Sequence, residues 1–532
     1  MIVTENRVIV LFFTVVALCC GLLFKIGSLN AEQYSQAGVN QSARRIEVAQ
    51  TRGMIYDRNM IPLVNREFVT VLAVDPTENA MATLKNCISA DEYALAAEKS
   101  RKGTPFLLYV ENYSGSCDDI IEMTAYNRYS SSDVASHIIG YLDNEGKGAS
   151  GMEKAFDSLM NKHSGSLSVR YSADVNGKIL RGHGFKTVND NYASSAGLVL
   201  TLDYEIQRLC EDVMARNGMD KGAVIVLDAQ TSEILALATT PSFDRDDMAS
   251  SLKDSASPFL NRALSAYAVG SVFKPVVAAA ALDSGISADT VFDCEGYVTV
   301  NGIRFNCHKK DGHGELDMSD AMAVSCNSYF IKLGQLAGAE NITDIASQLG
   351  FGTKITLADS LVSLGGILPD STEIDSAAAL ANLSFGQGTL LATPLQIGAV
   401  YCAFVNGGYY REPYILKEIV ENNGKVSAYY KNETNNKVLT DSVCKNIRLM
   451  LENTVINGSG KLAAPMGYNA AGKTATAETG WIEDGREIVH TWFAGYYPAE
   501  NPEYVVVVFK EDGSSSSTEC APIFRDIADN IK

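Results

Sequence analysis

The chain has 532 residues, with 44 Lys and Arg against 63 Asp and Glu, a formal charge of −19 and a 46% hydrophobic composition. At roughly 100 to 200 residues per domain, that leaves room for two to four domains with substantial cores. An acidic chain without a basic run argues against a nucleic-acid partner, whose phosphates require a basic face; the acidity itself reads as a solubility feature.

In chain order, the first element is Val8 to Phe24, VIVLFFTVVALCCGLLF, seventeen residues without a charge. That is close to the shortest helix that spans a bilayer. The run is long for a signal peptide, and Ser28-Leu29-Asn30-Ala31 is a poor cleavage site, so the segment is expected to be an uncleaved anchor. Arg7 on one side against Lys25, Arg44 and Arg45 on the other leaves its orientation open.

A polar stretch from 31 to 45 leads into short β-rich runs broken at Gly53, Asp57 to Asn59 and Pro62. Helical patterns such as 80–100 and polar loops alternate as far as 165, and 187–197, TVNDNYASSAG, reads as a linker. From Leu198 a strand feeds an amphipathic helix, and two strands follow around the turn 228–233. The chain is therefore divided into 1–30 (stub and anchor), 31–197 (an α+β region) and 198–532 (an α/β region). Within the last, helices are expected from Ser271 to about Leu282 and through much of 317–350 and 376–405. Strands return in AGKTATAETG, HTWFAGYYP and EYVVVVFKED, and a final helix follows with Ile523, Phe524, Ile527 and Ile531 on one face. Strands at both ends with helices between predict one sheet built from both ends of this region. Ser514 to Ser517 reads as a loop tip.

Eleven cysteines include no CxxC, and neither they nor the six histidines show metal-ligand spacing, so neither metal nor cofactor is expected. Cys294 and Cys307 flank a hairpin signal at Asn301-Gly302. They are read either as one disulfide or as reduced buried thiols.

Several motifs fail on context. There is no GxSxG and no HExxH. Gly467 to Thr474, GYNAAGKT, satisfies the phosphate-loop pattern, but no apolar strand precedes it and no helix follows it. Its Lys473-Thr474-Ala475 instead completes an active-serine set of SxxK, SxN and a Lys-Thr element. SxxK occurs at Ser250, Ser271 and Ser442, and SxN at Ser28 and Ser325; order selects Ser271-Val-Phe-Lys274 followed by Ser325-Cys-Asn327. Pro275 is tolerable only near a helix start, so Ser271 is placed at a helix N-terminus with Lys274 on the same face and within hydrogen-bond reach.

With these motifs the sequence resembles the penicillin-binding proteins, and within them the membrane-anchored class B transpeptidases. The resemblance also covers Arg52-Gly-Met-Ile-Tyr-Asp-Arg58, Ser136 to Tyr141 with Gly151-Met-Glu153, Ser384-Phe-Gly386-Gln-Gly388 and Thr393-Pro-Leu-Gln396. It implies an N-terminal transmembrane helix, an α+β non-catalytic pedestal and a transpeptidase fold with an antiparallel sheet flanked by helices. The activity implied is peptidoglycan cross-linking through an acyl-enzyme, with the chain beyond the anchor outside the cytoplasmic membrane. Ser271 would be the nucleophile and Lys274 its base, able to accept a proton at neutral pH because burial or the charge of Lys473 disfavours its charged form. Ser325 would relay a proton to the departing amine, Asn327 would hold Lys274 and a substrate amide, and Lys473 with Thr474 would take a terminal carboxylate. The backbone N–H groups of Ser271 and Thr476 would form the oxyanion hole.

Implied partners are stem peptides ending in D-Ala-D-Ala, β-lactams and a membrane glycosyltransferase. A D,D-carboxypeptidase, a β-lactamase and a non-catalytic β-lactam sensor are the alternatives. Ala475 replaces the glycine usual in the third motif and is expected to narrow the cleft. Cys326 is read as a small packing residue.

Overall fold

The computed structural model describes residues 2–28, 43–130, 133–174, 176, 179–180, 184–245, 247–374, 376–431, 434–483 and 485–531. The stretch 29–42, which holds most of the polar segment behind the anchor and the rest of the weak cleavage site, lies outside them. An apolar helix, Ile2–Ser28, opens the chain, and Arg7–Gly27 within it is long and apolar enough to cross a membrane. None of that span is buried against protein.

The remaining chain forms two compact units that are interleaved in sequence. Residues 67–128 and 164–194, with the strand Ala43–Thr51, build the first; 53–66, 129–163 and 195–532 build the second. Two three-stranded sheets and two helices make the first unit α+β. The helical pattern of 80–100 is there split in two, Glu78–Cys87 and Ala90–Ser100, because Ser89 and Glu92 form a capping box that starts a new helix. Residues 187–190, expected in a linker, instead belong to the strand Lys186–Asp190, which pairs with Gly165–Ser172. Its mostly exposed side chains explain why so polar a sequence is compatible with a sheet edge.

A five-stranded antiparallel sheet dominates the second unit. Its strands are β1 (Gly222–Asp228), β2 (Ile234–Thr240), β3 (Ala471–Glu483), β4 (Arg486–Tyr497) and β5 (Tyr504–Gly513), in the order β2-β1-β5-β4-β3. The two ends of the predicted region thus pair directly, β1 against β5. Flanking helices are α1 (Tyr204–Arg216), α2 (Lys274–Asp283), α3 (Asn327–Ala337), α4 (Pro394–Val405), α5 (Asp441–Ile456) and α6 (Ser516–Ala528).

Alternate residues of each strand face opposite layers. Val224, Val226, Val506 and Val508 pack with Val213 of α1 and with Phe524 and Ile527 of α6. Ile225, Leu227, Val505 and Val507 pack with Val276 of α2, Tyr401 of α4 and Ile447 of α5. Both faces of β5 are covered, which is why its sequence is a continuous valine run and shows no alternation. Ser516 and Ser517, expected in a loop tip, are the first turn of α6.

The Arg-Gly-Met-Ile-Tyr-Asp-Arg segment has a structural task in this second unit. Met54–Tyr56 pairs in parallel with Gly197–Val199. Buried Asp57 accepts the backbone N–H groups of Asn59, Ile61 and Tyr204, the last being the first residue of α1. Residues 136–141 and 151–153, expected in the non-catalytic region, also lie in this unit.

Candidate active site

The site is assembled where a turn, a loop and an edge strand meet. Gly270–Phe273 is a 3₁₀ turn that runs into α2, so the helix expected from Ser271 begins as a tighter turn and becomes α-helical at Lys274. Pro275 occupies the first turn of α2, where its missing N–H costs no ladder bond. Gly270 has φ 63°, and a Cβ there would sit 3.1 Å from Ala477 Cβ and 3.3 Å from the Thr476 carbonyl oxygen. The edge strand β3 is therefore pressed against the turn that carries Ser271. Behind the turn, Gly270 N–H donates to the Gly386 carbonyl at 2.8 Å, and a Cβ on Gly386 would collide with the Gly270 carbonyl. This close approach accounts for the Ser-Phe-Gly-Gln-Gly motif. Gln396 of the Thr-Pro-Leu-Gln motif is buried and closes a capping box on α4. Its side-chain amide also donates to the carbonyls of Gly350, Thr353 and Gly365.

Ser325 lies in the loop before α3 with φ 56°, an uncommon conformation for a non-glycine residue and one that concentrates at functional sites. Lys274, fully buried, donates from Nζ to Asn327 Oδ1 at 2.7 Å, to the Ser325 carbonyl at 2.7 Å and to Ser325 Oγ at 3.1 Å. Ser325 Oγ in turn donates to Ser271 Oγ at 3.1 Å. The direct Ser271 to Lys274 contact expected from their spacing is thus replaced by a relay through Ser325.

Lys473 is also fully buried; its Nζ donates to the Thr474 carbonyl at 2.9 Å. The hydroxyls of Thr474 and Ser459 are 2.6 Å apart, and Thr476 Oγ1 donates to Ser516 Oγ at 3.4 Å. No sequence motif marks Ser459 or Ser516 as neighbours of the third motif. Lys473 and Thr474 lie within β3, whereas a phosphate-binding loop would need them at a loop-to-helix junction.

Burial lowers the Lys274 pKa to about 7, against an ordinary 10.5. Lys473 is depressed well below its usual range, first by burial and then by the charge of Lys274. The repulsion expected to act on Lys274 therefore falls on Lys473, and desolvation does the work at Lys274. Ala475 is 2% exposed and belongs to the buried apolar cluster that also holds Val269, Val272 and Trp492. Its methyl is buried in the interior, so the expected narrowing of the cleft is not what the structure shows. The rival SxxK serines, Ser250 and Ser442, are exposed.

A second cluster lies one residue away. Asn301 and Gly302 form the predicted hairpin turn, both at positive φ, between Tyr297–Val300 and Ile303–Asn306. Cys294 and Cys307, at its two ends, are free thiols and not a disulfide. They converge with Cys326 and His313, and the four ligand-type atoms lie within 4.8 Å of one another. The expected absence of a metal-ligand pattern thus fails in space, because the four residues come from a strand end, a hairpin, a loop and a helix cap at irregular spacing.

The model for the penicillin binding protein transpeptidase domain matches residues 222–529, more than half of the chain. The chain is 27% identical over 535 residues to stage V sporulation protein D of Bacillus subtilis, covering 93% of this chain and 80% of that one. It is 27% identical over 570 residues to the peptidoglycan D,D-transpeptidase MrdA of Acinetobacter baumannii, covering 93% and 82%. The crystal structure of the D,D-transpeptidase domain of a peptidoglycan glycosyltransferase from Eggerthella lenta superposes with a TM-score of 0.64 at 25% identity, covering 90% of this chain and 97% of that one. With the Ser271, Ser325 and Lys473 motifs brought to one place on the matched domain, the chain belongs to the class B penicillin-binding proteins, the family of peptidoglycan D,D-transpeptidases.

Proposed function

We propose that this protein cross-links peptidoglycan through an acyl-enzyme on Ser271. The observation that carries the reading is the hydrogen-bonded run from Asn327 through Lys274 and Ser325 to Ser271. Ser271 Oγ attacks the carbonyl of the penultimate D-alanine of a donor stem peptide; with Lys274 neutral, a form accessible near pH 7, the two hydroxyls turn round so that Ser271 donates to Ser325 and Ser325 to Lys274 Nζ, and the proton passes along that path. The N–H groups of Ser271 and Thr476 hold the oxyanion; one such donor commonly supplies ~3 kcal/mol. Ser325 returns a proton to the departing D-alanine amine, leaving the ester. The amine of a second stem peptide then displaces Ser271 and the cross-link forms.

Lys473 and Thr474 receive the terminal carboxylate of the donor. Burial disfavours a charge on Lys473, and the arriving anion restores it, so full charge pairing is reached only when a carboxylate is bound. β-Lactams, which mimic the D-Ala-D-Ala terminus, acylate the same serine. The apolar helix Arg7–Gly27 anchors the chain in the cytoplasmic membrane with the two compact units on the outer side, where the substrate is. The first of those units serves as a pedestal, and a membrane glycosyltransferase supplies the glycan strands.

Labelling with a fluorescent penicillin tests this assignment. Wild type is expected to retain the label and Ser271→Ala to take none. Label on Ser271→Ala overturns the assignment of the nucleophile, and rapid loss of label from wild type overturns the transpeptidase reading in favour of a hydrolase.

A further inference from the structure

We propose that Glu478 is a specificity-determining residue that receives a side-chain ammonium of the donor peptide, on the residue before its D-alanine pair. Donor and acceptor are the same kind of stem peptide, and the acceptor reacts through an amine, so the donor carries such an amine as well. The inference rests on the acyl-serine reading given above and adds which part of the donor is recognised. From Lys473 to Ile482, β3 carries two charges: Lys473, fully buried, and Glu478, exposed. Among the described residues no hydrogen bond or ion pair holds the Glu478 carboxylate. The arginine of β4 and the lysine of β5 are already taken, Arg486 by Asp512 and Lys510 by Glu519.

The backbone of β3 shows which way Glu478 faces. β3 is the edge of its sheet and pairs on one side only, with β4. Lys473 Nζ reaches the Thr474 carbonyl, and the Thr476 carbonyl faces the Gly270 turn, 3.3 Å from where a Cβ on Gly270 would stand. Both carbonyls therefore point away from β4. In a strand the polar groups of alternate residues point the same way. Thr474, Thr476 and Glu478 thus offer their N–H and C=O groups to the open edge, with their side chains on one face. Thr474 is buried on that face, whereas Thr476 and Glu478 are exposed. Ala477 between them abuts Gly270, which sets Glu478 one residue beyond the contact with the turn that carries Ser271.

A donor with its carboxylate at Lys473 and Thr474 and its reacting carbonyl at the Thr476 N–H has only one direction left to run. Its upstream part continues past Thr476 toward Glu478, antiparallel to β3. From Thr476 to Glu478 the strand advances about 7 Å. An extended donor covers about the same distance between the reacting carbonyl and the α-carbon of the residue before the D-alanine pair. The amine on that residue then reaches the exposed carboxylate. Lys473 and Glu478, opposite charges on one strand, match the carboxylate and the ammonium of a single donor. A solvent-exposed pair of this kind discriminates by about two- to fivefold, and salt screens it.

Penicillins that differ in the charge of the acyl side chain test this, because that side chain stands where the donor continues upstream of its D-alanine pair. Ampicillin bears an ammonium group there and carbenicillin a carboxylate. Their second-order acylation rates are compared at pH 6.5, below the range in which an α-ammonium group deprotonates. The ratio of ampicillin to carbenicillin rates should fall at least fivefold in Glu478→Gln and further in Glu478→Lys, and the difference from wild type should shrink at high salt. A ratio taken within each variant does not depend on the fraction of protein that is folded. Glu483→Gln removes an equal charge from the far end of β3 and should leave the ratio within twofold. With a donor stem peptide, acetylation of its side-chain amine should raise KM about threefold in wild type and leave it unchanged in Glu478→Gln. A ratio that stays put in Glu478→Gln, or that moves as far in Glu483→Gln, overturns the assignment, as does an acetylated donor with an unchanged KM in wild type. Wild type that no penicillin acylates overturns the acyl-serine reading, and the inference falls with it.

Discussion

At the scale of single residues, Lys274 decides the pH behaviour. Its protonated form is the one that burial disfavours, and its pKa is about 7, so the neutral base accumulates as the pH rises through that value. The acylation rate is expected to climb about tenfold between pH 6 and pH 8 and then level off, following the neutral fraction of a single group. Stopped-flow acylation with penicillin measures this, and a rate that is flat from pH 5.5 to 8 would remove Lys274 from the role of base. Ala475 makes a separate prediction. Because its methyl is buried, Ala475→Gly should cost about 1 kcal/mol of stability, from one lost methyl and a freer strand backbone, with the acylation rate changed less than threefold. A rise of tenfold or more would mean that the methyl obstructs the ligand after all. The sequence is legible at this scale wherever chemistry is written as a short pattern: Ser271, Lys274, Ser325, Asn327 and Lys473 meet where their motifs place them. The Ser325 to Ser271 hydrogen bond, standing where a direct Ser271 to Lys274 contact was expected, and the thiol cluster were not legible, since both depend on which loops the fold brings together. Cys326, expected as a small packing residue, is fully buried in the main apolar cluster, and its neighbours Cys307 and His313 are distant from it in sequence.

At the scale of elements, the turn Gly270–Phe273 depends on the loop behind it. Gly386 and Gly388 both have positive φ, at 82° and 87°, but their surroundings differ. A Cβ on Gly386 would strike the Gly270 carbonyl, while one on Gly388 would meet only Asn382 Cβ at an ordinary 3.4 Å. Gly388→Ala should therefore cost only the conformational strain of a left-handed residue, about 1 to 2 kcal/mol, and leave acylation near normal. Gly386→Ala must displace the turn that aims Ser271, and should slow penicillin acylation at least tenfold. Equal acylation by the two variants would show that this contact does not position the serine. The two glycines are indistinguishable in sequence. Local patterns did identify most helices and the five long strands, and the Ile523, Phe524 and Ile527 face of α6 packs as its periodicity predicts. What they missed are elements specified by single polar contacts, such as the break at Ser89 and the exposed strand Lys186–Asp190.

At the scale of the whole molecule, the sequence suggests a cut near residue 197, whereas the second compact unit also recruits 53–66 and 129–163. A change in composition marks where a pattern changes, not which earlier segments return to fill a core. Ile55, Leu63, Val64, Ile138, Ile139, Met152 and Met160 are all at most 1% exposed and belong to the same apolar cluster as Leu198 and Leu200. At ~1.5 to 3 kcal/mol for each fully buried apolar side chain, their combined contribution before entropy is comparable with the whole net stability of a typical domain. A fragment of residues 198–532 retains every active-serine motif but lacks this material and the parallel strand Met54–Tyr56. It should expose the matching apolar surface, aggregate on expression and bind no fluorescent penicillin. A fragment of 43–532 removes only a helix whose span is not buried against protein, together with the stretch that follows it. It should be soluble without detergent, unfold cooperatively and be acylated at a rate within twofold of the full chain. Soluble, fully acylated 198–532 would show that the recruited segments are dispensable to the core. Failure of 43–532 to fold would show that the helix does more than anchor.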